Sequence, residues 1–141
     1  MKKKTLYICS EFSEGMFPYA VSIIDSLNSK VSYALFVSGK NGRYNEVFDT
    51  NSGNYFFIKY PNSSFGRKIF RLFPLYAFME ILKICKKHNI KNIHFLTQDT
   101  IFIFFMGILL KKYTVYYTVH DFKNHELKYS GLIHYLTSNI A

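Results

Sequence analysis

The chain has 141 residues, 49% of them apolar and 19% aromatic, with only three prolines and seven glycines. That length fits one ordinary domain, at about 150 residues per domain, and leaves no room for a second full one; the composition argues against disordered and low-complexity architectures. A formal charge of +9 and a pI near 9.5 favour contact with something anionic, such as a phosphate-bearing ligand or a phospholipid surface.

No nucleic-acid motif accompanies that charge, and the basic residues come in short groups, Lys2-Lys3-Lys4, Lys86-Lys87 and Lys111-Lys112, beside strand or helix ends. Joint enrichment of Lys, Asn, Ile, Phe and Tyr is a pattern AT-rich coding produces, and Lys at a helix C-terminus complements the dipole. General solubility or attraction to a membrane surface is therefore favoured over nucleic-acid recognition. Cys9 and Cys85 lie far apart without CxxC spacing and read as reduced core residues of a cytosolic protein. The lysines before Leu6 imitate a signal-peptide start, but Ser10, Glu11 and Glu14 end the apolar run too early. The longest apolar block, Ile101 to Leu110, is about half of the roughly 20 residues a spanning helix needs and reads as a buried helix.

In chain order, Thr5 to Cys9 has the length of a buried strand, and Ser10 to Phe17 is a polar connection. Pro18 suits the first turn of a helix in which Ala20, Ile23, Ile24 and Leu27 recur at helical spacing before Asn28-Ser29. Val31 to Val37 is a second strand, stopped by Ser38-Gly39-Lys40-Asn41-Gly42. Arg43 to Asn54 has no convincing period and reads as a loop, leading to a third strand, Tyr55 to Tyr60, stopped by Pro61. From Phe65 to His88, Ile69, Phe73, Tyr76, Met79 and Lys83 or Ile84 keep helical spacing, with Pro74 predicting a kink or two helical pieces. Ile93 to Leu96 is a fourth strand, Ile101 to Leu110 a helix, and Thr114 to Val119 a fifth strand. Tyr129, Leu132, Ile133, Leu136 and Ile140 mark one face of a terminal helix. The pattern predicts an α/β, Rossmann-like fold: an open, mostly parallel sheet with helices on both faces; if the strand order is 3-2-1-4-5, the loops after strands one and four flank its switch point, with strand five adjacent.

In such a sheet the ends after strands one, two, four and five face one edge, where a ligand crevice forms at the point of order reversal. Polar residues gather there: Ser10, Glu11, Glu14 and Gly15 after strand one, Ser38, Lys40 and Arg43 after strand two, Gln98 and Asp99 after strand four, and His120, Asp121, His125 and Glu126 after strand five. One glycine is far weaker than a GxGxxG fingerprint, so Glu14 and Gly15 read equally as ordinary loop polarity. Asp99 reads equally as an N-cap. His88, His94 and His134 read as structural or surface residues. His120 and Asp121 favour a functional role, because an imidazole with donor and acceptor nitrogens beside carboxylates at a strand terminus suits hydrogen bonding to a sugar or phosphate. Metal ligation is not indicated, since the His120, Asp121, His125, Glu126 spacing matches neither HExxH nor a zinc finger, and GxSxG is absent.

Lys4 to Ser10, the Glu14-Gly15 loop leading to a helix, Lys91 to Asp99, and Tyr117-Thr118-Val119-His120-Asp121 with His125-Glu126 together resemble the N-terminal, acceptor-side domain of bacterial GT-B glycosyltransferases of the retaining, family-four (group 1) kind. The resemblance implies an acceptor held by this domain and a nucleotide-sugar bound by a second domain, with reaction in the cleft between them and no metal or other cofactor. It implies His120 as the catalytic cleft histidine contacting the transferred sugar or its phosphate. Asp121, His125, Glu126, Gln98 and Asp99 would form the acceptor side, and Glu14 and Gly15 the loop nearest the donor phosphates, where many relatives have a double glycine.

The expectation is therefore a single domain over 1–141 without a donor domain, inactive alone. Its expected partners are a separate donor-domain protein, a sugar or lipid-linked acceptor of polysaccharide biosynthesis, and an anionic membrane surface, with no nucleic acid; its expected place is cytoplasmic, peripheral at the inner membrane face. Phe17, Tyr19, Phe65, Phe70 and Phe73 would suit apolar acceptor or lipid contacts, or simply the core. The alternative from a different class is a noncatalytic Rossmann-like module that pairs with another chain through an open sheet edge. A third reading is nucleotide binding by the basic loop Lys40 to Arg43.

Overall fold

Five short β-branched and aromatic runs form one open sheet: β1 (Thr5–Ser10), β2 (Ser32–Ser38), β3 (Tyr55–Lys59), β4 (Asn92–Phe95) and β5 (Thr114–Tyr117). The computed structural model describes residues 3–10, 16–27, 31–38, 42–49, 51–72, 74–97 and 100–118. The order is β3-β2-β1-β4-β5 and all four pairings are parallel, as expected from the alternation of strands and helices. β1 lies at the centre, with Tyr7 level with Ala34 on one side and with His94 on the other.

Side-chain alternation assigns the two faces. Leu6, Ile8, Leu35, Val37, Ile93 and Phe95 point to one core, covered by α4 (Leu75–His88) and α5 (Thr100–Leu109). From α4 come Ala77, Phe78, Ile81, Ile84 and Cys85, and Phe78 stacks on Phe105 of α5 with centroids 4.1 Å apart. Cys9, Ala34, Phe36 and Leu96 point the other way, under Ala20 and Ile24 of α1 (Phe17–Asp25) and Tyr44 of α2 (Arg43–Val47). Both cysteines are free and buried, and burial pushes the Cys85 thiol up to about 12.

Several boundaries follow directly from local chemistry. Pro18 occupies the first turn of α1, where its missing N–H costs nothing. Pro74 does split the long helical stretch: α3 (Ser64–Leu72) ends before it and α4 starts after it. α4 ends at Asn89, which takes the left-handed conformation (φ 53°, ψ 46°) while Ile90 N–H donates to the Cys85 carbonyl at 2.9 Å, closing a Schellman-type cap. Lys86 and Lys87 in its last turn complement the dipole. Gly66 lets α3 lie against the chain before it, since a Cβ there would stand 2.7 Å from both the Pro61 Cβ and the Ser63 Oγ.

Some expectations change. Arg43 to Asn54 is not all loop: Arg43–Val47 is a helix, too short to display a period, and anchored by the fully buried Tyr44, whose ring stacks on Phe36 at 4.7 Å. The periodic set Ile69, Tyr76 and Met79 marks helices correctly but not their inward face, because all three are exposed. β5 lies at the edge, where the order 3-2-1-4-5 puts it, with Thr114 and Tyr116 exposed and Val115 and Tyr117 half-buried. α5 is likewise not wholly buried, since Ile108 is exposed and Leu109 is not. No described helix is long and apolar enough to cross a membrane.

Candidate functional site

Four polar residues in the described structure are buried, and three of them, Ser10, Ser38 and Thr97, stand at the carboxyl ends of β1, β2 and β4. Burying polar groups without hydrogen bonds is costly, so their concentration at one edge of the sheet reflects geometry imposed there. β1 and β4 are also the neighbours between which the strand order reverses. The Ser10 N–H donates to Thr97 Oγ1 at 2.8 Å, and the Leu96 N–H to the Ile8 carbonyl at 3.0 Å, so a side-chain hydroxyl takes over where the β1–β4 ladder stops. At the end of β2, the Ser38 carbonyl accepts from Tyr60 N–H at 3.0 Å, while its buried Oγ has no hydrogen-bond partner among the described residues.

The helices entering at this edge bring a cation. Arg43 begins α2, and its guanidinium lies 4.1 Å from the centroid of Phe17 at the start of α1. Phe17 in turn packs on Tyr44 at 4.9 Å, and Tyr44 on Phe36 of β2. A continuous ring stack thus fixes Arg43 to the sheet, and the planar face of the guanidinium is satisfied by the aromatic while its N–H groups remain suited to an anionic or hydroxylated ligand. Of the basic loop Lys40 to Arg43, Arg43 is described and Lys40 and Asn41 lie outside the described residues.

On the face shared with α1, but nearer β5, His94 is held between Tyr7 (5.4 Å) and Tyr116 (5.9 Å), and its Nε2 is 2.8 Å from Thr118 Oγ1. Burial lowers its pKa, so the neutral ring is the form the fold prefers. Thr118 also continues the ladder, its N–H donating to the Phe95 carbonyl at 2.9 Å. His88 packs on Tyr33 and Phe56 at 4.8 and 5.5 Å; burial, and then repulsion from Lys87 and Lys4, lower its pKa. Both histidines are packing residues in this geometry, as expected from their positions.

The residues the sequence singles out for the site, His120, Asp121, His125, Glu126, Gln98, Asp99, Glu14 and Gly15, all lie outside the described residues. So do Glu11, His134 and the proposed terminal helix face of Tyr129, Leu132, Ile133, Leu136 and Ile140. What the structure brings together is the framework next to them: Ser10 before the Glu14-Gly15 loop, Thr97 before Gln98-Asp99, and Thr118 two residues before His120. Thr97 was not a candidate from sequence, although its place as the first polar residue after the apolar run Ile93, Phe95, Leu96 is a usable signal. Among the described residues, no three His, Cys, Asp or Glu side chains are grouped to hold a metal ion. A small recess lined by Ile24, Leu27, Ser32, Tyr33, Ala34 and Tyr55 sits at the opposite, amino end of β2 and β3 and offers little chemistry beyond tyrosine and serine hydroxyls.

The parallel five-stranded sheet, with its order reversing between β1 and β4, defines an α/β protein of Rossmann-like architecture. No family model matches the chain, and neither a curated protein nor a solved structure matches it.

Proposed function

We propose that this chain is the acceptor-side domain of a glycosyltransferase, acting on a cell-surface glycan or lipid-linked acceptor at the inner face of the cytoplasmic membrane. The observation that carries the reading is the reversal of strand order between β1 and β4, at whose carboxyl edge the Ser10–Thr97 hydrogen bond and the buried hydroxyl of Ser38 lie. Short hydroxyl side chains and backbone groups at such an edge suit a polyhydroxylated ligand, which needs many donors and acceptors and little charge. The sequence resemblance then supplies roles: His120 contacts the transferred sugar, Asp121, His125, Glu126, Gln98 and Asp99 shape the acceptor side, and Glu14-Gly15 approaches the donor phosphates. A nucleotide-sugar would be held by a donor domain of the second Rossmann-like kind, with transfer in the cleft between the two.

Calorimetry separates the outcomes. Short-chain prenyl diphosphate saccharides are expected to bind saturably, and UDP, GDP and their sugars not to. Submicromolar binding of a nucleotide-sugar would overturn the acceptor-side assignment in favour of a nucleotide site near Arg43.

A second reading is favoured by one observation, the edge of β5, where Thr114 and Tyr116 are exposed and, among the described residues, pairing runs only to β4. An unpaired parallel strand is a ready surface for another chain. In that reading the domain is a noncatalytic module whose partner adds a strand beside β5. Replacing Val115 by proline would abolish complex formation with such a partner, and would leave saccharide binding at the β1–β4 carboxyl edge intact.

A further inference from the structure

Most of the large apolar side chains exposed in the described structure lie on one helical layer: Phe65 and Ile69 on α3, Leu75, Tyr76 and Met79 on α4, and Ile108 and Leu110 at the end of α5. α3 shows why this is not incidental. Its inward side is Phe70, packed on the sheet core and 6.4 Å from Tyr60, with Gly66 against Pro61 one turn earlier. Phe65 and Ile69, also one turn apart, form a second apolar stripe that the core does not use, and they are 74% and 46% exposed. With about 100° of turn per residue, Lys68 borders that stripe. α4 repeats the arrangement along its length: the outward face begins with Leu75, Tyr76 and Met79 and continues with Lys83, Lys86 and Lys87.

The charge around these stripes has one sign. From Thr50 to Met79 the sequence contains no Asp or Glu but carries Lys59, Arg67, Lys68 and Arg71. The first carboxylate beyond, Glu80, is 3.3 Å from Lys83 and offsets that single cation, leaving Lys86 and Lys87 to set the local charge.

We propose that the outer surfaces of α3 and α4 seat on an anionic phospholipid bilayer, with Phe65, Ile69, Tyr76 and Met79 entering the headgroup–acyl boundary. Lys68, Lys86 and Lys87 then meet lipid phosphates, their alkyl stems lying along the apolar stripe. An apolar stripe beside lysines on a surface helix is the physical requirement for lying in that interface. An acidic protein partner fits less well, because lysine is depleted in protein–protein interfaces and is the principal cation here. The inference rests on the peripheral-membrane part of the proposed function and is independent of sugar transfer.

The test is co-sedimentation of the full chain with vesicles of phosphatidylcholine, with and without phosphatidylglycerol, at low and high salt. Binding is expected only with phosphatidylglycerol and weakens with salt. Phe65→Ser/Ile69→Ser should weaken it about tenfold or more, and Lys68→Glu/Lys87→Glu by about fivefold or more per residue. Val47→Ser, an equally exposed apolar site on α2 across the sheet, should leave it unchanged. Thermal melts of these surface variants confirm that each is folded. Equal binding to pure phosphatidylcholine, wild-type binding by Phe65→Ser/Ile69→Ser, or binding to polyglutamate with none to vesicles would overturn the proposal. A negative vesicle result would leave saccharide binding in solution untouched, so this inference and the transferase reading fail separately.

Discussion

Replacing Thr97 by valine removes one oxygen and keeps the shape of the side chain. Thr97 is fully buried, and its Oγ1 accepts the Ser10 N–H at 2.8 Å across the β1–β4 junction. In Thr97→Val the N–H faces a methyl group in a water-free position, and a buried donor left unpaired costs about 1–3 kcal/mol. Thr97→Ser retains the acceptor and removes a single buried methyl, worth about 1 kcal/mol. With a urea slope of about 1–3 kcal/mol/M for a domain of this size, the Val variant should lower the unfolding midpoint by about 1 M, and the Ser variant by less. Equilibrium urea denaturation followed by circular dichroism measures both. A Val variant as stable as the parent, or a Ser variant less stable than the Val variant, would refute the claim that this hydroxyl joins the two strands.

Other perturbations probe separate parts of the structure. Phe36→Ala empties the centre of a ring cluster in which Tyr44, Phe48, Tyr55 and Phe57 lie within 6.0 Å centroid to centroid, and should cost about 3–5 kcal/mol in chemical denaturation. At Asn89, φ of 53° predicts that Gly is tolerated or stabilising and that Ala loses about 1 kcal/mol, measurable as opposite shifts in Tm. Folding lowers the pKa of His94 and of His88 below the usual 6.5, so the unfolded chain binds more protons than the native one in that window. Stability is therefore complete above about pH 6.5 and falls on acidification toward the lowered native values; melts across that range should show the decline, with a shallower slope in His94→Gln.

The parts of the fold visible in the sequence were those with strong local punctuation. Short apolar runs bounded by Ser, Gly, Asn or Pro located all five strands to within one residue at most ends, and Pro74 located the break between α3 and α4. Their alternation indicated an open, mostly parallel sheet, with which the order 3-2-1-4-5 was compatible without being dictated by it, because one crossover hand still permits several strand orders. Less visible were features decided by tertiary context. α2 has five residues and is held by Tyr44 packing, which no periodicity could show. The run Val115-Tyr116-Tyr117 looks like an interior strand by composition, yet it lies at the edge, where its aromatic rings cover a half-open face. The same ambiguity affected the helices: α3 and α4 carry two apolar stripes each, and the sequence pattern followed the outward one through Ile69, Tyr76 and Met79. At the site, the strand ends and their buried hydroxyls were readable as polar residues following apolar runs. The pairing of Ser10 with Thr97 was not, because it joins residues 87 positions apart.

The central claim is that the carboxyl edge between β1 and β4 receives the sugar acceptor. Amide chemical-shift mapping of the full chain titrated with a short-chain prenyl diphosphate saccharide tests it most directly. The account predicts saturable shifts concentrated at Ser10, Ser38, Thr97 and Thr118, reduced in affinity by Thr97→Val. Shifts confined to the recess around Leu27 and Tyr55, or none up to the solubility limit of the ligand, would contradict it.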